Sequence, residues 1–362
     1  MRYRYIIIVL LALMGFTTKA KNETVSEIKM ADPFILNDTS SSEYYLYGTH
    51  FANGIGVYSS KDLVHWAYRG LALDKANTTE IKNFWAPEVY LLGGKYYMYY
   101  AANEHMYAAT ADSPLGPFRQ IGITSMMDEE KSIDPSILTT PDGLQYIFFV
   151  RFTAGNCIWQ AQLEKDNVTI KTATLRKCIA VSQVWEKDLG HVNEGPCVLF
   201  HNQRYYMMYS GNDYRCQNYG IGVATTKQLG LAWRKYDDNP IMLRPEGLYG
   251  AGHNGFFYDK QGKLRIVFHA HESKDQVGSR RTYIGTLMFR NDSLLYDPSE
   301  PILRLKEVTT ALGNISVHGN SGMDPALYQP SVCHVSACHM AFSSPAMKTV
   351  REEDCQIMAH VF

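Results

Sequence analysis

The sequence carries almost no net charge and shows no long amphipathic helical pattern. Its 362 residues include 35 Lys and Arg against 36 Asp and Glu, which gives a formal net charge of −1. A chain this close to neutral has no broad basic surface for nucleic acid, so we expect no nucleic-acid partner. Because helical periodicity is missing, strands must form the core, and the sequence predicts an all-β fold.

Long apolar runs are also scarce. One short run, residues 5–16, follows Arg2 and Arg4 and precedes the small residues of Thr18-Lys19-Ala20. It is too short for a convincing membrane span and has the order of parts of a secretory signal, which we assign to residues 1–20. No cysteine follows it to carry a lipid anchor. We therefore expect a periplasmic or secreted protein that is not held in a membrane after cleavage.

Cysteines are few and define no framework. There are seven, so one thiol must stay unpaired within a monomer. Cys333 and Cys338 are each followed by a histidine, but no second well-formed pair accompanies them. The sequence therefore predicts no structural zinc site there.

A short motif that leads into an apolar strand is present in five copies. The copies align on four prolines and one asparagine, at steps of 54, 48, 61 and 58 residues, namely Pro33, Pro87, Pro135, Pro196 and Asn254. Each copy is followed by a turn and a second apolar strand. A period of about 50 residues with several short strands per unit is typical of propeller blades.

We therefore predict a five-bladed β-propeller over residues 21–305. Two successive β-sandwiches are the alternative, but five similar units favour the propeller. Residues 306–362 match no blade start. They are expected to form a C-terminal extension that packs on the propeller or closes it.

Carboxylates stand at the start of three of the five motif copies: Asp32, Asp134 and Glu194. The first strand of each blade lines the central channel, so these three side chains should meet there although they come from distant parts of the chain. The proline after Asp32 and Asp134 should hold both aspartates in an extended conformation. Carboxylates crowded in an enclosed cavity push their pKa values apart, which gives one acid and one base for glycoside hydrolysis.

The motif set resembles that of the family 43 glycoside hydrolases, which are five-bladed propellers acting on arabinose- and xylose-containing glycans. The resemblance covers residues 31–305 and is specific because five motifs occur in order at blade spacing. Its carriers are Ala31-Asp32-Pro33, Phe84-Trp85-Ala86-Pro87-Glu88, Ile133-Asp134-Pro135-Ser136, Asn193-Glu194-Gly195-Pro196 and Gly252-His253-Asn254.

The resemblance implies a role for each carboxylate. Asp32 would be the general base that activates water, Glu194 the general acid that protonates the leaving oxygen, and Asp134 the group that tunes the pKa of the acid and orients it. Such enzymes invert the anomeric configuration, and their acid and base stand about 6.5–9.5 Å apart to admit the water. No cofactor is required.

Four further residues are candidates for binding. The resemblance implies that His253 lies near the channel axis, where it holds either a water or a calcium ion. Phe84 and Trp85 head the second motif copy, where an aromatic ring can stack on a sugar. Arg281 matches an arginine that contacts the sugar, although the adjacent Arg280 is an alternative for that role.

The sequence thus predicts a secreted inverting glycoside hydrolase that cleaves terminal bonds of arabinose- or xylose-type plant glycans, resembling an α-L-arabinofuranosidase or β-xylosidase. Its partner would be an oligo- or polysaccharide. Related propellers remain alternatives: a family 117-like anhydrogalactosidase, a galactofuranosidase or galactosidase, a mannoside phosphorylase, or a non-catalytic glycan-binding propeller. An invertase-like enzyme is disfavoured because Ala31 and Ile133 replace the residues that precede the aspartates in that group. The exact sugar and the oligomeric state are left open.

Overall fold

Each of the five motif copies forms the first strand of a separate sheet. The computed structural model describes residues 23–310, so the expected signal segment (1–20) and the part of the C-terminal extension beyond residue 310 lie outside the described residues. Among the described residues there is no α-helix, and no helix that could cross a membrane.

The described residues form 23 strands and four short 3-10 turns. The first thirteen strands are β1 Glu23–Glu27, β2 Ala31–Asp38, β3 Glu43–Thr49, β4 Gly54–Ser60, β5 His65–Asp74, β6 Phe84–Leu92, β7 Lys95–Ala102, β8 His105–Ala111, β9 Arg119–Gln120, β10 Ser132–Thr139, β11 Gln145–Phe152, β12 Asn156–Gln162 and β13 Arg176–Ile179. The remaining strands are β14 Asn193–His201, β15 Arg204–Gly211, β16 Gly220–Thr226, β17 Arg234–Lys235, β18 Gly252–Tyr258, β19 Leu264–Ser273, β20 Gln276–Arg290, β21 Ser293–Tyr296, β22 Leu303–Arg304 and β23 Lys306–Thr310. The 3-10 turns are Lys75–Asn77, Thr172–Thr174, Val184–Glu186 and Pro245–Gly247.

The strands form five antiparallel blades. Blades 2, 3 and 4 are four-stranded meanders in the orders β6-β7-β8-β9, β10-β11-β12-β13 and β14-β15-β16-β17. Blade 5 has the order β18-β19-β20-β21, with β22 also paired to β20. Blade 1 runs β2-β3-β4-β5 from the inside outward and continues into β23 and β1. The all-β, five-bladed prediction is confirmed.

The inner strands close into a ring around the propeller axis. Strand β2 contacts β6, β6 contacts β10, β10 contacts β14, β14 contacts β18, and β18 contacts β2 again. The start of each motif therefore faces the same central channel, which is the condition for residues from distant parts of the chain to form one site.

Both ends of the described chain complete the first blade. Strand β1 pairs antiparallel with β23 along its whole length, and β23 pairs in parallel with β5 through Lys306 and His65. The edge strand of blade 1 is thus covered by the chain itself. The sheet extends to residue 310, five residues past the expected propeller boundary at residue 305, because β23 belongs to blade 1.

Apolar side chains pack in five clusters, and each cluster lies between two neighbouring blades. The cluster between blades 1 and 2 includes Tyr47 and Met98, both fully buried. The cluster between blades 5 and 1, which closes the ring, includes Val267 and Leu46. The other three interfaces have clusters of the same kind. Burial between blades rather than within one sheet explains why a single blade could not be stable alone.

The cysteines of the described residues are free thiols. Cys157 and Cys197 are buried, and Cys178 and Cys216 are partly buried. Cys197 lies on the inner strand of blade 4, and burial raises the pKa of its thiol well above the usual value. The three cysteines near the C-terminus, including Cys333 and Cys338, lie outside the described residues.

Candidate active site

Each inner strand contains a β-bulge at the motif. The pairing register shifts at the same point in all five blades. The residue at the bulge has a positive φ in every blade: Asp32 (47°), Ala86 (43°), Asp134 (56°), Gly195 (54°) and His253 (45°). The prediction that a following proline holds the aspartates in an extended conformation is therefore wrong. The bulge imposes the left-handed half of φ space and turns these side chains towards the axis.

Glu194 is not in phase with the two aspartates. It stands one residue before the bulge, at the position that Trp85 occupies in blade 2 and Ile133 in blade 3, while Gly195 takes the bulge position itself. A Cβ at residue 195 would lie 3.2 Å from the His253 ring, and φ there is +54°, so glycine fits this position. Glu194 therefore approaches the cavity from a different point of its strand than the aspartates do.

The three carboxylates open into one cavity at the end of the channel. Its volume is about 390 Å³, within the range of small-ligand sites. The charged and aromatic side chains that line it are five carboxylates, one histidine, one arginine and three aromatic residues: Asp32, Glu104, Asp134, Glu194, Asp213, His253, Arg280, Trp85, Phe152 and Tyr214. The structure thus brings together the predicted carboxylates, His253 and Trp85.

Asp32 is buried among cationic and hydrogen-bonding groups. Its Oδ1 lies 3.3 Å from Arg280 Nη1, 3.3 Å from His253 Nδ1 and 3.4 Å from His269 Nδ1. Burial by itself would raise the pKa of this carboxyl, but His253 and Arg280 hold it well below its usual value. Asp32 is therefore ionised at neutral pH.

Glu194 has the opposite electrostatic environment. Its Oε1 accepts a hydrogen bond from the Tyr219 hydroxyl at 2.8 Å, and its Oε2 accepts one from Asn156 Nδ2 at 3.2 Å. Burial and the nearby Asp134 raise the pKa of the Glu194 carboxyl above its usual value, against the effects of His253 and Tyr219. Glu194 therefore keeps its proton to a higher pH than an ordinary glutamic acid does.

Asp134 interacts electrostatically with both Asp32 and Glu194. Its Oδ2 accepts a hydrogen bond from the Gly195 backbone N–H at 3.0 Å, which ties it to the residue directly after Glu194. Burial and the charge of Asp32 raise the pKa of Asp134, and the Gly195 hydrogen bond opposes that rise. Asp134 thus lines the cavity and also contacts the backbone next to the acid.

The arginine that lines the cavity is Arg280, and the expectation for Arg281 is wrong. Arg281 forms ion pairs with Glu27 and Glu272 instead. Adjacent residues of a strand point to opposite faces, so only one of the two can reach Asp32. Arg280 does so, and its guanidinium also lies 4.6 Å from the centre of the Tyr214 ring.

The adjacent aromatic residues of blade 2, Phe84 and Trp85, also point to opposite faces of their strand. Trp85 is partly exposed and lines the cavity. Phe84 is 3% exposed and packs on Tyr100 in the cluster between blades 1 and 2. The prediction of Phe84 as a sugar contact is wrong, because strand alternation directs it into the apolar core.

Several residues of the site carried no signal in the sequence. Phe152 and Tyr214 lie on the cavity wall, Asn156 and Tyr219 bind Glu194, and His269 binds Asp32. They lie on the second or third strand of a blade or in a loop, outside the five motif copies. Only the proximity created by the fold identifies them.

The surroundings of His253 do not specify a calcium ion. Residues 23–310 contain no group of three or more His, Cys, Asp or Glu side chains arranged to hold a metal ion. Calcium takes about six to eight oxygen ligands, whereas His253 supplies one nitrogen, which faces Asp32. A bound calcium therefore stays a prediction, and no step described below uses it.

Comparison with known proteins identifies the family. The sequence profile described as "Glycosyl hydrolases family 43" matches residues 22–295, which is most of the chain. The chain belongs to glycosyl hydrolases family 43. The resemblance predicted from the motifs is confirmed.

Solved structures that are similar to this family 43 chain share its architecture. A structure titled "Endo-1,4-beta-xylanase" from Bacteroides thetaiotaomicron is 37% identical, with a TM-score of 0.75, and the match covers 78% of this chain and 98% of that one. A structure titled "thermostable family-43 glycoside hydrolase" is 34% identical, with a TM-score of 0.70, and the match covers 75% and 93% of the two chains.

Curated relatives of the family 43 chain are more distant. The "Extracellular exo-alpha-(1->5)-L-arabinofuranosidase" of Streptomyces avermitilis is 26% identical over 306 residues, which are 73% of this chain and 60% of the relative. The corresponding protein of Streptomyces chartreusis is 27% identical, over 54% of this chain and 65% of the relative. The match therefore spans less than two thirds of these relatives' own length.

Proposed function

We propose that this protein is an inverting glycoside hydrolase acting on arabinose- or xylose-containing plant glycans. Asp32 is the general base, Glu194 the general acid and Asp134 the modulator of the acid. The observation that carries the proposal is the opposite direction of two pKa shifts within one cavity. Asp32 has a lowered pKa and Glu194 a raised one, which is the division that glycoside hydrolysis needs.

Asp32 is suited to activate water. It is ionised, and Arg280, His253 and His269 fix its position. In the proposed reaction, Asp32 takes a proton from a water while the water oxygen attacks the anomeric carbon. The proton of the water moves to the carboxylate, and the bond from the anomeric carbon to the leaving oxygen breaks.

Glu194 is suited to protonate the leaving group. A carboxylic acid that holds its proton near neutral pH can donate it to the departing glycosidic oxygen as the bond breaks. Asp134 favours this state because its negative charge raises the pKa of Glu194. One water is consumed, and the two products are the sugar with inverted configuration and the released alcohol.

The cavity wall supports a glycan as the ligand. Trp85, Phe152 and Tyr214 present aromatic rings to it, and such rings can stack on sugar faces. Phe152 and Tyr214 are 42% and 40% exposed, so part of each ring is free for contact. Phe152 pairs across the strands with Asn156, which binds the acid, so this side of the cavity would receive the leaving group.

The same wall favours hydrolysis over phosphorolysis. A phosphorylase needs a cluster of cationic side chains for phosphate. Among the described residues that line the cavity, Arg280 is the single Lys or Arg, and its charge is paired with Asp32. Water is therefore the better nucleophile for this site.

The names of similar proteins support proposals for the substrate sugar and for the location of the protein. The Streptomyces relatives are named exo-acting arabinofuranosidases, and the Bacteroides structure is titled a xylanase. We propose terminal arabinofuranosyl or xylosyl residues as the substrate. The same curated relatives are named extracellular, which supports export to the periplasm or the medium.

The stereochemical outcome tests this function. The protein is mixed with phenyl α-L-arabinofuranoside or phenyl β-D-xylopyranoside, and the anomeric proton of the first-formed sugar is followed by NMR, with and without phosphate. We expect a free sugar of inverted configuration and no dependence on phosphate. Retention, a sugar phosphate, or binding without turnover of any glycoside would each contradict the proposal.

A further inference from the structure

A pair of buried rings lies beneath the catalytic carboxylates and joins the acid to the base. Tyr219 stands just ahead of β16 in blade 4, and His269 lies in β19 of blade 5; neither is exposed to solvent. The two rings are stacked, with centroids 5.7 Å apart and planes 10° apart. Rings packed this closely between two blades have little freedom to shift.

Each ring is hydrogen-bonded to one catalytic residue. The Tyr219 hydroxyl donates a hydrogen bond to Glu194 Oε1 at 2.8 Å. On the other side, the backbone N–H of Asp32 donates to His269 Nδ1 at 3.1 Å, which fixes the bulge residue itself. Direct contacts therefore connect the acid to the base. Tyr219 is hydrogen-bonded to Glu194 and stacks on His269, and His269 is hydrogen-bonded to Asp32.

His269 acts in this path as a neutral acceptor. Because Nδ1 accepts the Asp32 N–H, the neutral ring is assigned its proton on Nε2, which is buried and has no hydrogen-bond partner among the described residues. Burial and the nearby Arg280 lower the pKa of His269 to about 3, although Asp32 opposes the shift. The ring keeps one protonation state across the neutral range, so the hydrogen bond to Asp32 is constant there.

Gly252 provides the space for the stack. It is the first residue of β18 and pairs with His269 across the ladder. A Cβ at this position would lie 2.1 Å from Tyr219 Cε1 and 2.3 Å from Tyr219 Cδ1. No side chain fits there unless the Tyr219 ring moves.

We propose that Tyr219 and His269 are positioning residues that set the orientation and spacing of the general acid and the general base, and that Gly252 is required to seat Tyr219. The inference rests on the proposed hydrolytic function. Neither ring touches the substrate in this scheme. Each acts through the catalytic residue to which it is hydrogen-bonded.

Substrates with different leaving groups distinguish a misplaced general acid from a general loss of activity. Phenyl glycosides need protonation of a poor leaving group, whereas 2,4-dinitrophenyl glycosides leave without it. We expect Tyr219→Phe and Gly252→Ala to lower kcat on the phenyl substrate by about 10- to 100-fold. On the dinitrophenyl substrate kcat should stay within about threefold of the wild-type value, as expected when only acid assistance is lost.

A second glycine of the same strand gives the matched control. A Cβ at Gly255 would meet its nearest atoms at 3.4–3.7 Å, which is ordinary contact. Gly255→Ala should therefore leave kcat unchanged on both substrates. If Tyr219→Phe or Gly252→Ala leaves kcat unchanged, or lowers it equally on both substrates, acid positioning is overturned.

The base side is tested by rescue. His269→Leu removes the acceptor of the Asp32 N–H and should lower kcat equally on both substrates, because water must be activated whichever group leaves. His269→Asn retains an acceptor near the place of Nδ1 and should recover part of the loss. Equal activity of the two variants would overturn the role of His269.

Failure of the proposed function looks different. Wild-type protein that hydrolyses neither substrate, or Glu194→Gln with full activity on the phenyl glycoside, would contradict the hydrolase itself. If wild-type and Glu194→Gln behave as proposed, the Tyr219, Gly252 and His269 variants decide the positioning inference alone.

Discussion

Arg280 lies with its Nη1 3.3 Å from Asp32 Oδ1, whereas its neighbour Arg281 is held by Glu27 and Glu272 away from the cavity. The two arginines are adjacent in sequence and chemically identical. Strand alternation alone decides which of them reaches the base. They therefore form a natural matched pair for testing the site.

Arg280→Met should impair catalysis more than Arg281→Met. Loss of the cation beside Asp32 raises the pKa of the base, and an opposite charge at this range shifts a carboxyl by about 1–3 pH units. The acidic limb of the profile of kcat/KM against pH should move up by about one unit. Arg281→Met should leave that limb in place. Equal behaviour of the two variants would contradict the assignment of Arg280.

Glu194→Gln and Asp32→Asn should each lower kcat on phenyl glycosides by about 10²- to 10⁴-fold, since each removes a proton-transfer step. Both substitutions keep the shape of the side chain, so the fold should be retained, as circular dichroism would show. Calorimetric titration with an unhydrolysed oligosaccharide should still detect binding. Full activity in either variant would refute the catalytic roles.

The profile of kcat/KM against pH should have a wide plateau. Activity rises as Asp32 loses its proton, at a pH below its usual pKa, and falls as Glu194 loses its proton, at a pH above its usual pKa. Asp134→Asn removes a negative charge near Glu194, so the pKa of the acid should fall and the basic limb should move to lower pH. A basic limb that stays in place or moves up would show that Asp134 does not modulate the acid.

Trp85→Ala and Phe84→Ala should have different effects. Trp85 lines the cavity, so its loss should raise KM by about 5- to 10-fold, as expected for a lost aromatic contact, with little change in stability. Phe84 is buried in the core, and its truncation should lower the free energy of unfolding by about 3–5 kcal/mol. Urea denaturation and steady-state kinetics of both variants would separate the two roles. A destabilised Trp85 variant with unchanged KM would reverse them.

Removal of divalent metal should leave catalysis intact. The reaction proposed above uses three carboxylates and a water, and His253 supplies one nitrogen beside Asp32. Dialysis against EDTA should therefore leave kcat within about twofold, as for a general acid–base reaction without a metal. A loss of activity that calcium restores would show that an ion at His253 takes part.

Much of the fold was predictable because the inner strands repeat. A recurring short motif at blade spacing marks the inner strand of every blade, and the ring of blades follows from that repetition. The positions of Asp32 and Asp134 follow from it as well, since both stand directly before the aligned proline. The one-residue offset of Glu194 is visible in the same alignment, because Glu194 stands two residues before Pro196. The bulge that gives Asp32 and Asp134 a positive φ does not follow, because it has no fixed signal in the sequence.

The remaining parts of the site depend on contacts between blades. Tyr219 and His269 come from different blades and meet only after the ring closes, so no local pattern links them. The choice between Phe84 and Trp85 depends on which face of β6 turns towards the axis. Register settles such choices, and a shift of one residue would reverse them.

The sequence by itself determined that the chain forms five blades, that three of their inner strands begin with acid-bearing motifs, and that the motif set is that of glycosyl hydrolases family 43. These properties follow from repetition along the chain, which is visible without coordinates. The tertiary structure alone decided that Arg280 serves the base, and that Tyr219 and His269 join the base to the acid. Those choices rest on strand register, bulges and packing between blades, which exist only once the ring has closed.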